Sequence, residues 1–256
     1  MTRQIIDLSK PVQYNKNDPF FMRVKIKHKK HGLGRLLIRA LGLPFRLFPE
    51  NFTGWADDTI KNMGVHSTTH LDAPWHYGPE SGGKPAKTID QVPLEWCFSD
   101  GVVIDMTHKK ELEPITVDDI KADLEKSGAS IKAGTIVLIR TGRDIYLGTK
   151  DYWLKGTGMS AEATEWLIDQ GVKVMGIDQW GWDTPLKEQI KSSKQANDRD
   201  VFWAAHRVGI KKEYCHIEQM VNLGALPAYG FKVSVLPLKI IGASAAPARV
   251  VAIMGD

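Results

Sequence analysis

The sequence predicts a mixed α/β domain, and three observations support this. Apolar runs rich in β-branched residues recur along the chain, bounded by turn residues. Two segments with helix start and stop signals each precede one of these runs, the order expected of α/β proteins. The 256 residues are 43% hydrophobic and 25% charged, which is sufficient for one large folded domain. Because we find no repeat and no linker, we predict a single domain spanning residues 1–256.

The predicted strands are short apolar runs. Several are apolar at consecutive positions, which indicates strands buried on both faces. The runs cover residues 5–8, 101–106, 135–140, 172–177, 233–238 and 249–254.

The two predicted helices have recognisable ends. The first begins after Thr116, with Asp119 three residues on as a capping partner, and stops at Gly128. The second begins after Ser160 and stops at Gly171.

Several classes of protein are disfavoured. The first ten residues, MTRQIIDLSK, lack the apolar region of a signal peptide, and no apolar run reaches eighteen residues. The two cysteines, Cys97 and Cys215, are too few for a disulfide framework. We therefore expect a cytoplasmic protein without a membrane span.

A basic segment at about residues 21–46 contains eight lysines and arginines and no acidic residue, which leaves 26 basic against 30 acidic residues elsewhere. Its leucines recur at roughly helical spacing. Three interpretations are open: a solvated helix packed on the body or on a sister subunit, a mobile lid, or a membrane-surface or nucleic-acid patch. We favour the first, because nothing else in the chain supports lipid or nucleic acid as a partner.

The densest motif is residues 64–79, GVHSTTHLDAPWHYGP, which places His66, His70, Asp72 and His76 within eleven positions. On a helix, Asp72 would lie about 200° from His70. In an extended segment all four even-numbered side chains share one face. Two adjacent threonines and the proline between Asp72 and His76 disfavour a helix. The sequence therefore predicts an extended segment that directs two imidazoles and a carboxylate to one point, with a third imidazole just beyond.

This donor set is typical of a divalent-metal site. Imidazole and carboxylate suit zinc, manganese, iron or cobalt, and the absence of thiolate argues against a closed structural zinc site. We predict a divalent metal, Zn²⁺ or Mn²⁺. The alternative is a histidine-rich loop whose imidazoles bond to backbone carbonyls.

The segment HSTTHLDAPWH resembles the HxGTHxDxPxH signature of the cyclase-like metal-dependent hydrolases, the family of bacterial kynurenine formamidase and isatin hydrolase. Further stretches match the family in the same order along the chain. These are IIDLSKPV at 5–12, LIRTG at 138–142, GIDQWGWD at 176–183 and PLKIIGASAAPARVVAI at 237–253. The resemblance implies a single domain with a curved, barrel-like mixed β-sheet and outer helices, of the swivelling β/β/α type. It also implies a homodimer or homotetramer.

The resemblance further implies a ligand set. His66, His70 and Asp72 would bind the first metal. If a second ion is present, Asp72 bridges the two, and His206 with Glu218 completes the second site. With one ion, His206 and Glu218 would instead hold water and product.

His76 is the candidate general acid/base, with a role as an additional ligand as the alternative. An imidazole beside a metal-activated water can take a proton and return it to the leaving nitrogen.

We predict hydrolysis of an amide-type carbon–nitrogen bond in a formamide or lactam. The alternatives are lactone or ester hydrolysis on the same centre, and a family member that binds metal or ligand without turnover. Aromatic residues near the motifs favour a planar or aromatic small-molecule substrate, and the candidate substrate-binding residues are Trp75, Tyr77, Trp180 and Trp182. The last two could instead be core residues of a capping turn.

Two positions depart from the family pattern, which carries a glycine at Thr68 and a serine at Gly181. The acidic residues Asp178 and Asp183 flank the tryptophan pair and could orient the histidines or cap a turn. We assign no role to His216.

Overall fold

A computed structural model describes residues 3–255 of the chain, which form two compact units. The main unit comprises residues 3–11 and 65–255, and the basic unit comprises Val12–Gly64. The strands, numbered in chain order, are β1 (Gln4–Asp7), β2 (Lys25–Lys29), β3 (Asp57–Asn62), β4 (His70–Asp72), β5 (Glu80–Ser81), β6 (Lys84–Pro85), β7 (Phe98–Asp105), β8 (Pro114–Ile115), β9 (Ile136–Arg140), β10 (Gly158–Met159), β11 (Val174–Ile177), β12 (Cys215–Glu218), β13 (Phe231–Ser234), β14 (Ala245–Pro247) and β15 (Val251–Met254). The α-helices are α1 (His31–Ala40), α2 (Pro74–Tyr77), α3 (Val117–Ser127), α4 (Ala161–Asp169), α5 (Leu186–Ala196) and α6 (Ala204–Lys211).

A nine-stranded mixed sheet forms the centre of the main unit, in the order β1-β15-β13-β7-β9-β11-β12-β4-β14. Strands β7, β9, β11 and β12 run parallel to one another, and the remaining pairings in this sheet are antiparallel. The sheet curls into a half-barrel, which confirms the predicted curved α/β architecture.

The central strands are buried on both faces, as their continuous apolar runs predict. In β9, Ile136 and Leu138 belong to one core cluster, whereas Val137 and Ile139 belong to the other. Helices α3 and α4 contribute Ile120 and Leu167 to the second cluster. Alternate residues of one strand thus fill two separate cores, one on each side of the sheet.

The helix ends are as predicted. The Thr116 side chain accepts a hydrogen bond from the Asp119 backbone, and Gly128 adopts the left-handed conformation that ends α3. The Ser160 hydroxyl caps α4 in the same way, accepting from the backbone of Ala163.

Several strand boundaries differ from the predicted runs, most of all at the end of the run 233–238. The run at 233–238 is part of β13, which begins at Phe231 and ends at Ser234. Pro237 has no N–H to donate to a neighbouring strand, so the apolar run continues beyond the regular pairing.

The basic unit contains the antiparallel pair β2 and β3 and helix α1. Within the basic segment, residues 31–40 form helix α1 and Lys25–Lys29 form strand β2. The KIKHK run alternates with period two, which suits a strand. Among the described residues, no helix is long and apolar enough to traverse a bilayer.

Candidate metal centre

The centre is built on the antiparallel pair β4 and β12. Their register sets Asp72 opposite His216 and His70 opposite Glu218. Because side chains two residues apart on a strand share a face, all four project to the same side of the sheet. All four are buried.

The polar atoms of these four side chains converge. His70 Nε2 lies 3.2 Å from Asp72 Oδ1 and 3.7 Å from Glu218 Oε2. His216 Nε2 lies 3.0 Å from Asp72 Oδ2 and 3.3 Å from Glu218 Oε1. Two carboxylates and two imidazole nitrogens therefore surround one small volume.

His66 and His76 also approach the carboxylate of Asp72, His66 from a turn and His76 from helix α2. The Nδ1 atom of His66 lies 2.9 Å, and Nε2 of His76 lies 3.7 Å, from the oxygens of Asp72. The prediction of one extended segment through all four positions is wrong outside β4, because Pro74 begins helix α2. Proline suits the first helical position, where no backbone N–H is required.

His206 enters from helix α6. Its Nε2 lies 3.5 Å from Glu218 Oε1, and its Nδ1–H donates to Asp183 Oδ2 at 2.5 Å. The Asp183 carboxylate also accepts the backbone N–H groups of Ala205 and His206. One carboxylate thus fixes both the start of α6 and the orientation of its histidine.

The other acidic residue of this loop has a different task. Asp178 accepts hydrogen bonds from the backbone and hydroxyl of Thr141 and from the backbone of Gly142. It therefore holds the segment after β9 and contacts none of the clustered histidines. Burial raises the pKa of Asp178 to about 6.

The two central carboxylates remain ionised despite burial. Burial alone would raise the pKa of Asp72 and of Glu218, but the surrounding histidines outweigh it and hold both pKa values below the usual range. Burial lowers the pKa of His76 to about 4, so its ring is neutral near pH 7. For His206 burial is outweighed by Asp183 and Glu218, and its pKa rises to about 10.

These residues fit a divalent cation. The buried side-chain atoms without a hydrogen-bond partner include His70 Nε2, both carboxylate oxygens of Asp72 and His216 Nε2. Such atoms normally find a partner, and metal ions bound beside Asp72 would supply one. Among the described residues, two groups of side chains each bring one ligand atom per residue within 4.8 Å of the others. One group is His66, Asp72 and His76, and the other is Asp72, His206, His216 and Glu218.

The six residues predicted as ligands or acid/base therefore come together in one cluster. Sequence reasoning missed His216, although a signal was present. The spacing of His216 and Glu218 in one apolar strand repeats the spacing of His70 and Asp72.

The four aromatic residues predicted to bind substrate divide into two groups. Tyr77 and Trp182 are buried and stack on the ring of His216, at centroid distances of 5.3 and 5.0 Å. Trp75 is 44% exposed and Trp180 is partly exposed. Only the second pair offers substantial ring surface to a ligand from solvent.

Sequence reasoning also missed Trp203. Its partly exposed ring stacks on His206 at 4.5 Å and meets His76 edge-on at 5.2 Å. No local signal distinguishes this tryptophan, because it reaches the centre only through the packing of α6.

The two departures from the family pattern both touch the centre. The carbonyl of Thr68 accepts a hydrogen bond from His70 Nδ1 at 2.7 Å. A Cβ atom added at Gly181 would lie 4.0 Å from Glu218 Oε1, so a serine could be accommodated there.

The fold and this cluster define a class of protein. The model of the Cyclase family matches residues 6–184, which is more than half of the chain. The chain therefore belongs to the Cyclase family.

Individual relatives agree with this assignment. The chain is 27% identical to the isatin hydrolase of Roseibium aggregatum over 204 residues, covering 75% of this chain and 73% of that protein. It is 27% identical to the kynurenine formamidase of Paracidovorax citrulli over 189 residues, covering 74% and 76%. A crystal structure of an isatin hydrolase bound to the product analogue thioisatinate superposes with a TM-score of 0.75 at 22% identity, covering 99% and 93%, which confirms the fold.

The role of Asp183 can be tested by Asp183→Asn. Both carboxylate oxygens of Asp183 accept hydrogen bonds, whereas the asparagine amide has a single accepting oxygen. At least one of the buried N–H groups of Ala205 and His206 therefore loses its partner. We expect the free energy of unfolding of the metal-free protein to fall by about 1–3 kcal/mol in urea titrations. Asp118→Asn, at an exposed position of α3, is the control and should change it far less. Equal stability of the two variants would contradict the assigned role.

Proposed function

We propose that this protein hydrolyses an amide-type carbon–nitrogen bond, in a formamide or a lactam, at a divalent metal held by His66, His70 and Asp72. Where two ions bind, His206 and Glu218 complete the second position. The observation that carries the proposal is the convergence of buried, unpartnered nitrogen and oxygen atoms around Asp72. The similarity to an isatin hydrolase and to kynurenine formamidases supports the bond type.

The proposed chemistry depends on a water molecule and one proton carrier. A bound divalent ion would lower the pKa of water and polarise the substrate carbonyl. His76 then takes the proton from the attacking water and delivers it to the leaving nitrogen, so that the amine departs neutral.

Three features favour His76 over its neighbours for this task. Its side chain is 24% exposed, whereas His70 is fully buried and His206 nearly so. Its ring is neutral near pH 7 and can accept a proton. It also stands farther from Asp72, at 3.7 Å, than His66 does at 2.9 Å.

For the substrate, we propose a planar or aromatic small molecule that contacts Trp75, Trp180 and Trp203. Trp203 is the best supported, because its ring borders both His76 and His206. The buried rings of Tyr77 and Trp182 are not proposed to touch the substrate.

The function is tested with protein purified without chelator, whose metal content is measured before assay. We expect at least one equivalent of zinc, manganese, iron or cobalt per chain, and hydrolysis of aromatic formamides or fused-ring lactams. Removal of the ion with a chelator should abolish turnover, and Zn²⁺ or Mn²⁺ should restore it. Turnover of lactones alone would contradict the bond assignment. Bound metal without turnover of formamides, lactams or lactones would identify a binding protein.

The role of His76 is tested by His76→Ala. The variant should retain its metal yet lose about 10²–10⁴-fold in activity, mainly in kcat, because the proton transfer matters in the transition state. His108→Ala is the matched control, since His108 is exposed and far from the cluster in sequence. Loss of metal together with activity would make His76 a ligand, and near-normal turnover would remove it from the mechanism.

The role of Trp203 is tested by Trp203→Phe and Trp203→Leu. Loss of an aromatic pair is worth about 0.5–1.5 kcal/mol, so the leucine variant should raise KM for an aromatic formamide roughly 2–10-fold. The phenylalanine variant should recover most of this loss. An aliphatic formamide should show little change in KM with either variant. Equal changes for both substrates would indicate a structural role.

A further inference from the structure

We propose that His216 is an additional metal ligand, giving the second ion of this centre a four-residue site of Asp72, His206, His216 and Glu218. This inference rests on the proposed metal centre and extends it by one ligand. It also assigns to Tyr77, Trp182 and Tyr214 the task of fixing the orientation and tautomer of that ligand.

The first argument is the position of the ring. His216 is fully buried and stands opposite Asp72 in the β4–β12 register. Its Nε2 atom lies within 3.3 Å of oxygens of both Asp72 and Glu218. The ring of His206, another proposed ligand, lies 4.6 Å from that of His216 and is perpendicular to it. One ligand atom from each of the four residues lies within 4.8 Å of the others.

The second argument is the hydrogen bonding at the remote nitrogen. The Tyr214 hydroxyl donates its single proton to the carbonyl of Ala205, at 3.3 Å, because a carbonyl can only accept. Its oxygen therefore presents lone pairs to His216 Nδ1, 3.2 Å away. The Tyr77 hydroxyl lies 3.1 Å from the same nitrogen and can accept in the same way. This arrangement favours the tautomer with the proton on Nδ1.

The tautomer has a consequence at the other nitrogen. With the proton on Nδ1, Nε2 directs a lone pair at two carboxylates, an arrangement that is unfavourable without a cation between them. Metal-bound histidines are held in this way, with the remote N–H donated to a neighbouring acceptor. His70 shows the same pattern, because its Nδ1 donates to the carbonyl of Thr68.

The third argument is the rigidity of the ring. Trp182 stacks on one face at an interplanar angle of 11°, and Tyr77 stacks at 26°. Trp182 is itself fixed, since its Nε1–H donates to the hydroxyl of Thr164 and its backbone N–H donates to Glu218. A ring stacked against two buried aromatic side chains is preorganised for one direction of bonding.

The chemical class of the ion follows from the donors. Two imidazoles and two carboxylates favour Zn²⁺, Mn²⁺, Fe²⁺ or Co²⁺ over Mg²⁺ and Ca²⁺, which prefer oxygen ligands and water. The competing explanation is that His216 carries protons on both nitrogens and acts as an internal cation that replaces the second ion.

The experiment measures Zn²⁺ and Co²⁺ binding to the full chain, by elemental analysis after dialysis and by competition with a chromophoric chelator. We expect two ions per chain in the wild-type protein. His216→Leu should keep the first ion and weaken the second by more than about 100-fold, because even the loss of a hydrogen-bond partner of a ligand costs 10–100-fold. The Co²⁺ absorption spectrum should lose the component of the second ion. His108→Leu, the control, should bind as the wild type does.

Three results would overturn the inference. If His216→Leu binds both ions with unchanged or higher affinity, His216 is an internal cation. A wild-type protein that binds a single ion would have no second position, while the proposed function would stand. Failure of the wild type to bind any of these ions would overturn both proposals.

A second variant covers the case in which His216→Leu does not fold, as judged by circular dichroism. The double variant Tyr77→Phe/Tyr214→Phe keeps both rings and removes only the two hydroxyls at Nδ1. It should weaken the second ion by about 10–100-fold and leave the first unchanged. Unchanged affinity for the second ion in the double variant would also overturn the inference.

Discussion

The centre depends on the register between β4 and β12. This pairing sets Asp72 opposite His216 and His70 opposite Glu218, so one pair of strands supplies two imidazoles and two carboxylates on one face. A shift of β4 by a single residue would turn His70 and Asp72 to the other face of the sheet, away from His216 and Glu218. Strand β14 pairs with the far side of β4, so the backbone of the short strand is hydrogen-bonded on both sides. A three-residue strand can therefore hold two of the proposed ligands firmly.

A second constraint is the charge of the buried carboxylates. Two ionised groups this close in a dry interior are unfavourable unless cations or donors offset them. In the proposed centre, bound divalent cations would supply that offset, and four of the surrounding imidazoles are each oriented through the nitrogen remote from the carboxylates. The partners of these remote nitrogens are the carbonyl of Thr68 for His70, the carboxylate of Asp183 for His206, the hydroxyl of Ser244 for His66, and the tyrosine hydroxyls for His216. The orientation of these four imidazoles is thus set by groups outside the cluster.

Within the proposed site, burial distinguishes the proposed metal ligands on β4, β12 and α6 from the residues proposed to act on the substrate. The residues that surround Asp72 most closely from β4, β12 and α6 are buried, whereas His76 and Trp203 remain partly exposed. Both lie where α2 and α6 meet, and α6 is held there by the Asp183 carboxylate. The buried set is suited to bind an ion tightly. The partly exposed pair is suited to meet a substrate that arrives from solvent, which agrees with a general acid/base beside an aromatic surface.

The sequence by itself determined the local features of this protein. Helices α3 and α4 were predictable because the residues that begin and end each helix lie next to it in the chain. The central strands were predictable because their apolar runs are continuous. The first proposed ligands could be named because His66, His70 and Asp72 lie in one dense motif, and the family resemblance added His206 and Glu218. Only the tertiary structure decided the rest. Trp203 carries no distinctive local pattern, and the spacing of His216 and Glu218 does not by itself place them beside Asp72. Their proximity to Asp72 and His76 arises from strand pairing and helix packing between distant segments. The tautomer of each histidine likewise depends on partners that folding brings together, so no spacing in the sequence could reveal it.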